Sequence, residues 1–418
     1  MPKFAHMADV HLGAHREPHL QRLEMEAFQA AMSRCIELDV DFVLICGDLF
    51  HVGIPDLGIV DSAIKVMIRA QEQGIPIYAI YGSHDYTPNG TSVIDILNTV
   101  GVLTNVFRPK MDSGRLKLGL TVDKKTGAKI AGISARKVGL ESRYYEILDR
   151  AAIEEERGFR VFAFHSGITQ FRPANLKEME TVDISLFPRG LDYYAGGHIH
   201  QRGEFSLSGY DRIVFPGPLF TGYGRDLEDT ARGAERGFYV VDFDDKVKGT
   251  SFIPIQTFGS LYKEYDLGGA NAVEANRRVG EDLGRLDVSG KVVVIKAYGE
   301  LAGGRVADVD FGRMKLGLMG RGALYVHLNR SSLTSRESGK PAAAGEDPAT
   351  TEEKFFESRI GSVKVSAPGL KGHSGSLLGK ELLRLLRQPP KMGEAKRDYQ
   401  TRMVRDGARM MKLEEVHT

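Results

Sequence analysis

The stretch from Asp41 to His51, DFVLICGDLFH, constrains the fold more than any other part of the chain. Its five consecutive apolar residues, Phe42 to Cys46, include the β-branched Val43 and Ile45 and stop abruptly at Gly47-Asp48. A short uninterrupted apolar run bounded by polar residues predicts a strand buried on both faces of a parallel sheet. Asp48 then stands at the strand's carboxyl end, where open α/β sheets bind ligands. Taken alone, Asp48 also reads as the N-cap of a following helix.

The surrounding pattern decides between these readings. Residues 3 to 10 predict a first strand ending in Asp9-Val10-His11, and Leu23 to Leu38 has helical periodicity. After the 42–46 strand come a helix over Leu57 to Gln73 and a strand over Ile75 to Ile80 that breaks at Gly82-Ser83-His84-Asp85. Strand, helix, strand, helix, strand predicts a parallel sheet with right-handed crossovers. A short helix over Thr91 to Val100, strands near Leu116 to Val122 and Ala128 to Ile133, and a charged helix over Glu141 to Arg157 follow. Two more strands end in histidines: Val161 to Phe164 at His165, and Leu191 to Ala195 at Gly196-Gly197-His198-Ile199-His200. Strands over Arg212 to Phe215 and Gly237 to Phe243 close this domain.

From about Tyr262 the order becomes strand (Tyr262 to Leu267), helix (Ala272 to Leu286) and two strands (Lys291 to Ala297, Ala323 to Leu328), a smaller α+β unit. Residues 331–353 hold only Leu333 among large apolar side chains and read as a linker. Helices are expected over Ser376 to Gln388 and Glu394 to Glu415, divided by Pro389-Pro390. The expected organisation is a main domain (1–255), a cap (256–330), a linker (331–353) and a helical tail (354–418). With 418 residues, more than one domain is the prior.

Cys35 and Cys46 are the only cysteines and both fall in apolar patterns, so neither a disulfide framework nor a thiolate metal site is available. The N-terminal MPKFAHMADVHLG lacks an apolar signal core, and no run of eighteen apolar residues occurs. Secretion and membrane spanning are therefore not expected, and a reducing cytoplasm is. A net charge of +1 leaves any nucleic-acid-binding surface to local clusters.

Five strand ends thus present Asp9 and His11, Asp48, His84 and Asp85, His165, and His198 and His200. On extended backbone residues i and i+2 point the same way, which would deliver each D-x-H or H-x-H pair to one site. Carboxylates and imidazoles without sulfur suit a divalent ion such as manganese, iron or zinc. One buried histidine is ordinarily a hydrogen-bonded core residue; ligand types at five parallel-strand ends have no such explanation.

The ordered set Asp9-x-His11, Gly47-Asp48, Gly82-x-His84-Asp85, His165 and Gly197-His198-x-His200 resembles the calcineurin-like metallophosphoesterase family. Within it, Asp48-Leu49-Phe50-His51, Phe164-His165-Ser166-Gly167 and Gly196 to His200 resemble the SbcD-type subunits of DNA double-strand-break repair nucleases. The resemblance implies an α/β fold, a metallophosphoesterase β-sandwich flanked by helices, with a smaller α+β capping domain. It also implies two manganese ions: one held by Asp9, His11, Asp48 and His200, the other by Asp48, His165, His198 and position 83, with Asp48 bridging. The family has Asn where this chain has Ser83, a shorter and poorer donor, so that water completes the shell or the second ion binds more weakly. Beside two such ions His84 would sit against the developing charge and protonate the leaving oxygen, with Asp85 either orienting it or capping the turn Tyr86-Thr87-Pro88, and by the resemblance His51 helps position the scissile strand.

Double-stranded DNA ends require cations near the site. His15, Arg16, His19 and Arg22 follow the first ligand pair, and Arg136, Lys137 and Arg143 are further candidates, with Arg277, Arg278, Lys315 and Arg321 in the cap. The family implies a homodimer built on helices such as 57–73 and 91–100, whose apolar residues equally suit packing on the sheet. From Lys371 to Lys412 there are 11 Lys/Arg against 4 Asp/Glu, a balance of 11 − 4 = +7. Amphipathic basic helices after a linker suggest docking in a partner's groove, in this family an SbcC-type ABC ATPase with a coiled coil; a self-packed hairpin or a nucleic-acid-binding tail fits the same pattern.

The expected function is a manganese-dependent DNA exonuclease and endonuclease, cytoplasmic and nucleoid-associated, of prokaryotic type. The alternatives are a phosphatase or nucleotide phosphodiesterase of the same fold, or a non-catalytic DNA-end tether. A protein phosphatase of this superfamily carries G-D-x-x-D-R-G, whereas this chain has Gly47-Asp48-Leu49-Phe50-His51-Val52-Gly53.

Overall fold

The computed structural model describes residues 1–87, 90–136, 141–174, 176–337, 372–391, 394 and 396–411. Strand β2 spans Phe42–Cys46 and is buried throughout. Its side chains alternate between two cores: Val43 and Ile45 pack with helix residues such as Phe28, Ala63 and Met67, while Phe42, Leu44 and Cys46 face Val161, Ala163 and Ala195 of a second sheet. A strand covered on both faces needs apolar residues at every position, which is why the run is unbroken.

β1 (Lys3–Met7), β2 and β3 (Ile77–Ile80) are parallel neighbours, with Met7 beside Ile45 and Cys46 beside Ile80. Their sheet has the order β16-β15-β1-β2-β3-β4, with β4 at Thr104–Asn105, β15 (Gly237–Phe243) antiparallel to β1, and β16 at Val247–Pro254. The second sheet has the order β13-β14-β12-β9-β8-β7, with β13 at Gly203–Leu207 and β7 at Thr121–Val122. In it β8 (Lys129–Ile133), β9 (Arg160–His165), β12 (Tyr193–Gly197) and β14 (Tyr210–Phe215) run parallel, and Gly197 lies beside His165. Helices α1 (Pro18–Glu37), α2 (Leu57–Glu72) and α3 (Val93–Thr99) contribute Phe28, Met67 and Leu97 to the core on the outer face of the first sheet. The expected β-sandwich flanked by helices is therefore the observed fold.

Local differences have identifiable causes. In place of one helix over Glu141 to Arg157 there are two short ones, α4 (Ser142–Glu146) and α5 (Ala151–Glu154). The break is held by Leu116, which donates to the Ile147 carbonyl at 2.9 Å and accepts from the Asp149 amide at 2.8 Å, so backbone needed for a continuous helix is spent on a strand edge. The stretch expected as the cap contains an unanticipated helix, Phe311–Gly320, whose glycines at 312, 317 and 320 dilute the helical signal. Its strands are Gly259–Asp266, Lys291–Leu301 and Tyr325–Ser335, with a further helix at Ala272–Gly284. The last strand continues past residue 331, the expected start of the linker, because Leu333 and Ser335 are buried.

The described residues within 1–267, 274–299 and 309–333 form one compact unit and those within 268–273, 300–308 and 334–418 a second. In the second, helices Gly372–Leu386 and Lys396–Met410 pair as a hairpin. Leu385 and Met403 are buried, Arg402 chelates Glu394 at 2.7 and 2.8 Å, and Leu377, Leu386 and Val404 remain exposed. Among the described residues no helix is long and apolar enough to cross a membrane.

Candidate metal centre

The carboxyl ends of the parallel strands of both sheets meet at one edge of the sandwich. Five side chains close a ring there. His11 Nε2 lies 3.1 Å from His200 Nε2, His200 Nε2 3.8 Å from Asp9 Oδ1, and Asp9 Oδ1 3.9 Å from His165 Nε2. His165 Nε2 is 3.2 Å from Asp48 Oδ2, and His11 Nε2 3.7 Å from that same oxygen. All the donor atoms face inward. Two tight sets within the ring, Asp9-His11-His200 and Asp9-Asp48-His165, and a third at its mouth, His11-His51-His84, each have ligand atoms within 4.8 Å of one another.

The backbone achieves this differently from the expected extended pairs. β1 stops at Met7 and β12 at Gly197; Asp9 (φ 52°), His11 (φ 52°), Asp48 (φ 53°) and His198 (φ 84°) all adopt the left-handed region. Such backbone is costly for residues with a Cβ and clusters at functional sites. Close approach is the other requirement. A Cβ on Gly82 would collide with the Asp48 carboxylate, and one on Gly47 (φ 85°) with the His165 ring. The sheets are pinned at the same point, since His165 Nδ1 donates to the Cys46 carbonyl at 2.8 Å.

That hydrogen bond leaves Nε2 as the inward nitrogen of His165. It lies off the direction for a hydrogen bond to Asp48 and is a buried polar atom without a partner. An orphaned nitrogen, two buried carboxylates and two further imidazoles fit one or more divalent cations. Electrostatics agree with a site built for positive charge. Burial alone would lower His165, but the charges of Asp48 and Asp9 push it up to about 10. Burial alone would raise Asp48, but the charge and proximity of His165, with His11 and His84, hold it below the usual carboxylate range. His11, also buried, is pushed well down.

His84 and His51 stand at the mouth. Their rings stack at 4.7 Å and 28°, and His84's own amide donates to Asp48 Oδ1 at 2.8 Å. His198 donates its backbone amide to both Asp9 oxygens at 3.0 Å and sets its ring against His165 at 5.2 Å, outside the two tight sets. Ser83 is half-buried in the turn between Gly82 and His84. Asp85 is buried. Its carboxylate accepts the amides of Leu49 (3.3 Å), Phe50 (2.9 Å) and Gly82 (2.9 Å), tying the loop after β2 to the loop after β3. Burial pushes it up to about 6.

Of the expected DNA contacts, Arg16, His19 and Arg22 are exposed at and just before the start of α1, with Arg22 3.6 Å from Glu26. His15 turns inward, its Nε2 2.8 Å from the Thr221 carbonyl. The Arg136 guanidinium donates to the Tyr144 hydroxyl at 2.6 Å and lies over the Tyr86 and Tyr144 rings. Lys137 lies outside the described residues.

Three residues escaped the sequence reading. Asp226, in helix α6 (Gly224–Ala231), accepts His200 Nδ1–H at 2.9 Å and the amides of Gly222 and Tyr223 at 2.9 and 3.0 Å. It thereby presents His200 Nε2 to the ring, as carboxylates behind metal-binding histidines do. Buried Arg236 binds the carbonyls of His200 (3.1 Å) and Asp226 (2.9 Å). Tyr223 Oη lies 2.8 Å from His84 Nε2. The glycines on either side of Tyr223 were the only local signal.

With this geometry in hand, residues 2–202 match the calcineurin-like phosphoesterase family. The chain carries a calcineurin-like metallophosphoesterase domain. Curated relatives are named DNA double-strand break repair protein Mre11. One from Archaeoglobus fulgidus is 26% identical over 352 residues, covering 75% of this chain and 74% of that protein. One from Methanopyrus kandleri is 29% identical, covering 58% and 54%, and one from Methanococcus maripaludis 30% identical, covering 58% and 64%. The chain thus spans between 54% and 74% of the length of these relatives. The phosphoesterase domain accounts for the ring, because Asp9, His11, Asp48, His165 and His200 all lie within the matched residues. Asp226, Arg236 and Tyr223 lie beyond them.

Proposed function

We propose that this chain is a metal-dependent DNA nuclease that hydrolyses phosphodiesters at double-strand breaks. The observation that carries the reading is the closed ring of Asp9, His11, His200, Asp48 and His165 with His84 at its mouth; the names of the relatives supply the substrate class. Two manganese ions are proposed, one held by Asp9, His11, Asp48 and His200, the other by Asp48, His165, His198 and Ser83 or a water. Asp9, shared by both sets within the ring, would stand beside Asp48 among the carboxylates that hold the ions. Bound dications supply a hydroxide nucleophile near neutral pH and neutralise the phosphoryl oxygens.

The chain's own groups do the rest. Asp226 and the Cys46 carbonyl fix the tautomers of His200 and His165. His84 Nδ1 donates to the His51 carbonyl at 2.6 Å, so Nε2 is the nitrogen that faces the substrate and protonates the leaving oxygen. His51, stacked on His84, lines the path of the scissile strand. Arg16, His19 and Arg22 lie along the proposed DNA track.

As proposals of the same reading, residues 1–255 form the nuclease domain and 256–330 a DNA-binding cap. The exposed Leu377, Leu386 and Val404 of the hairpin receive an SbcC-type ATPase, the exposed Ile96 and Val100 of the α3 region serve a homodimer, and the complex works at the nucleoid. The test is manganese-dependent cleavage of linear duplex DNA by the full chain beside Asp48→Asn and His84→Ala. Cleavage by wild type that both variants lose is the expected result. Cleavage no higher than that of Asp48→Asn leaves only a tethering role.

A further inference from the structure

His84 is held from several sides. Its Nδ1 must carry a proton, because its partner is the His51 carbonyl, which can only accept. In the neutral ring Nε2 then has a bare lone pair, and the group that meets it is the Tyr223 hydroxyl at 2.8 Å. Tyr223 is 45% exposed, and its ring lies 5.5 Å from His200, 5.7 Å from His51 and 5.8 Å from His11, closing the open side of the histidine cluster. It is not mobile bait on a loose loop. Its amide is bonded to Asp226, the carboxylate that also holds His200, and Gly224 beside it packs against the His327 ring of the cap.

We propose that Tyr223 is a positioning residue for His84. Its oxygen accepts Nε2–H of the imidazolium before the step and its O–H is donated to the neutral Nε2 after it, which holds the ring aimed at the mouth where the leaving oxygen emerges; the inference rests on the phosphodiesterase reading given above. In the step it serves, a hydroxide oxygen bonds to phosphorus and the bond from phosphorus to the leaving sugar oxygen breaks. The electron pair stays on that oxygen, which takes the proton from Nε2 of the imidazolium. The resulting neutral ring is the state that accepts the Tyr223 O–H, so product formation restores the hydrogen bond seen here. Without the hydroxyl, the ring keeps its Nδ1 anchor but pivots about it, and Nε2 loses its aim.

This role predicts a dependence on the leaving group. Duplex DNA expels a poor sugar alkoxide that needs the proton, whereas bis(p-nitrophenyl) phosphate expels a phenolate that does not. For full-length Tyr223→Phe assayed with manganese, kcat on DNA should fall more than kcat on the nitrophenyl ester, by a further factor of roughly three to ten, the worth of one hydrogen bond. In a His84→Ala background, read on the nitrophenyl ester, which needs no acid, the second substitution should add nothing, because Tyr223 acts through His84. Equal losses on both substrates, an additive loss in the His84→Ala background, or a raised KM for DNA with kcat unchanged would each overturn the assignment, pointing instead to a packing role or to direct substrate contact. If wild type hydrolyses neither substrate, the phosphodiesterase reading itself fails. A metal-free nitrogen NMR spectrum adds a readout without turnover: the His84 Nε2 resonance should move on Tyr223→Phe, and an unmoved resonance overturns the contact.

Discussion

Metal loading should displace a proton from His165. That imidazole is fully buried and in desolvation terms ought to be neutral, yet Asp48 at 3.2 Å and Asp9 at 3.9 Å hold its proton up to about 10. In the metal-free protein the imidazolium stands in for the charge the carboxylates were arranged to meet. A metal ligand must be the neutral ring, so binding and deprotonation are one event. At about pH 8 the proton is held with about two units in hand, and at 1.36 kcal/mol per unit its removal opposes binding by about 3 kcal/mol, about a hundredfold in affinity. The sign for stability follows. Because the folded value lies above the unfolded 6.5, this proton stabilises the metal-free fold fully below pH 6.5, and the contribution is lost as pH rises toward about 10. Calorimetric titration of manganese, in buffers of differing ionisation enthalpy between about pH 7 and about pH 9, should show affinity rising about tenfold per pH unit and at least about one proton released. Asp48→Asn should abolish the slope. An affinity flat across that range, with heats independent of buffer, would refute the reasoning, since His165 would then be neutral before the metal arrives.

Other perturbations probe other parts of the site. Asp226→Ala removes the acceptor that orients His200 and should weaken manganese binding by roughly 10- to 100-fold with little change in far-ultraviolet circular dichroism. Gly82→Ala drives a methyl into the Asp48 carboxylate and should lower stability by about 1–3 kcal/mol in urea titrations; an unchanged midpoint would mean that the β3 loop moves aside freely. Ser83→Asn restores a longer oxygen donor and should raise DNA cleavage at limiting manganese, converging with wild type at saturation. Equal activity at every manganese concentration would show that Ser83 is not a weak point.

Much of this protein was legible in one dimension because burial imposes composition. β2 lies between two cores and had to be apolar at all five positions, so Phe42 to Cys46 announced both the strand and its parallel neighbours. The members of the ring were legible for a related reason: carboxylates and imidazoles gathered at the ends of apolar strands have no structural purpose in common. The helix over Phe311–Gly320 was illegible because packing overrode its glycines, and the break between α4 and α5 because Leu116, far away in sequence, claims the backbone there.

Within the site, the sequence determined which chemical groups gather, and tertiary structure decided how each is aimed. Asp9, His11, Asp48 and His198 reach the centre from left-handed backbone that only close packing of two sheets sustains, so alternation along a strand was the wrong guide to their direction. Asp85, a candidate for chemistry, also staples two loops together, a role set by which amides come within reach. Tyr223, Asp226 and Arg236 come from a segment that follows the last ligand and has no apolar period or ligand spacing to mark it. Their importance exists only once helix α6 is folded against His200 and His84, because a hydrogen bond depends on distance and direction in space, and neither is written in the order of residues.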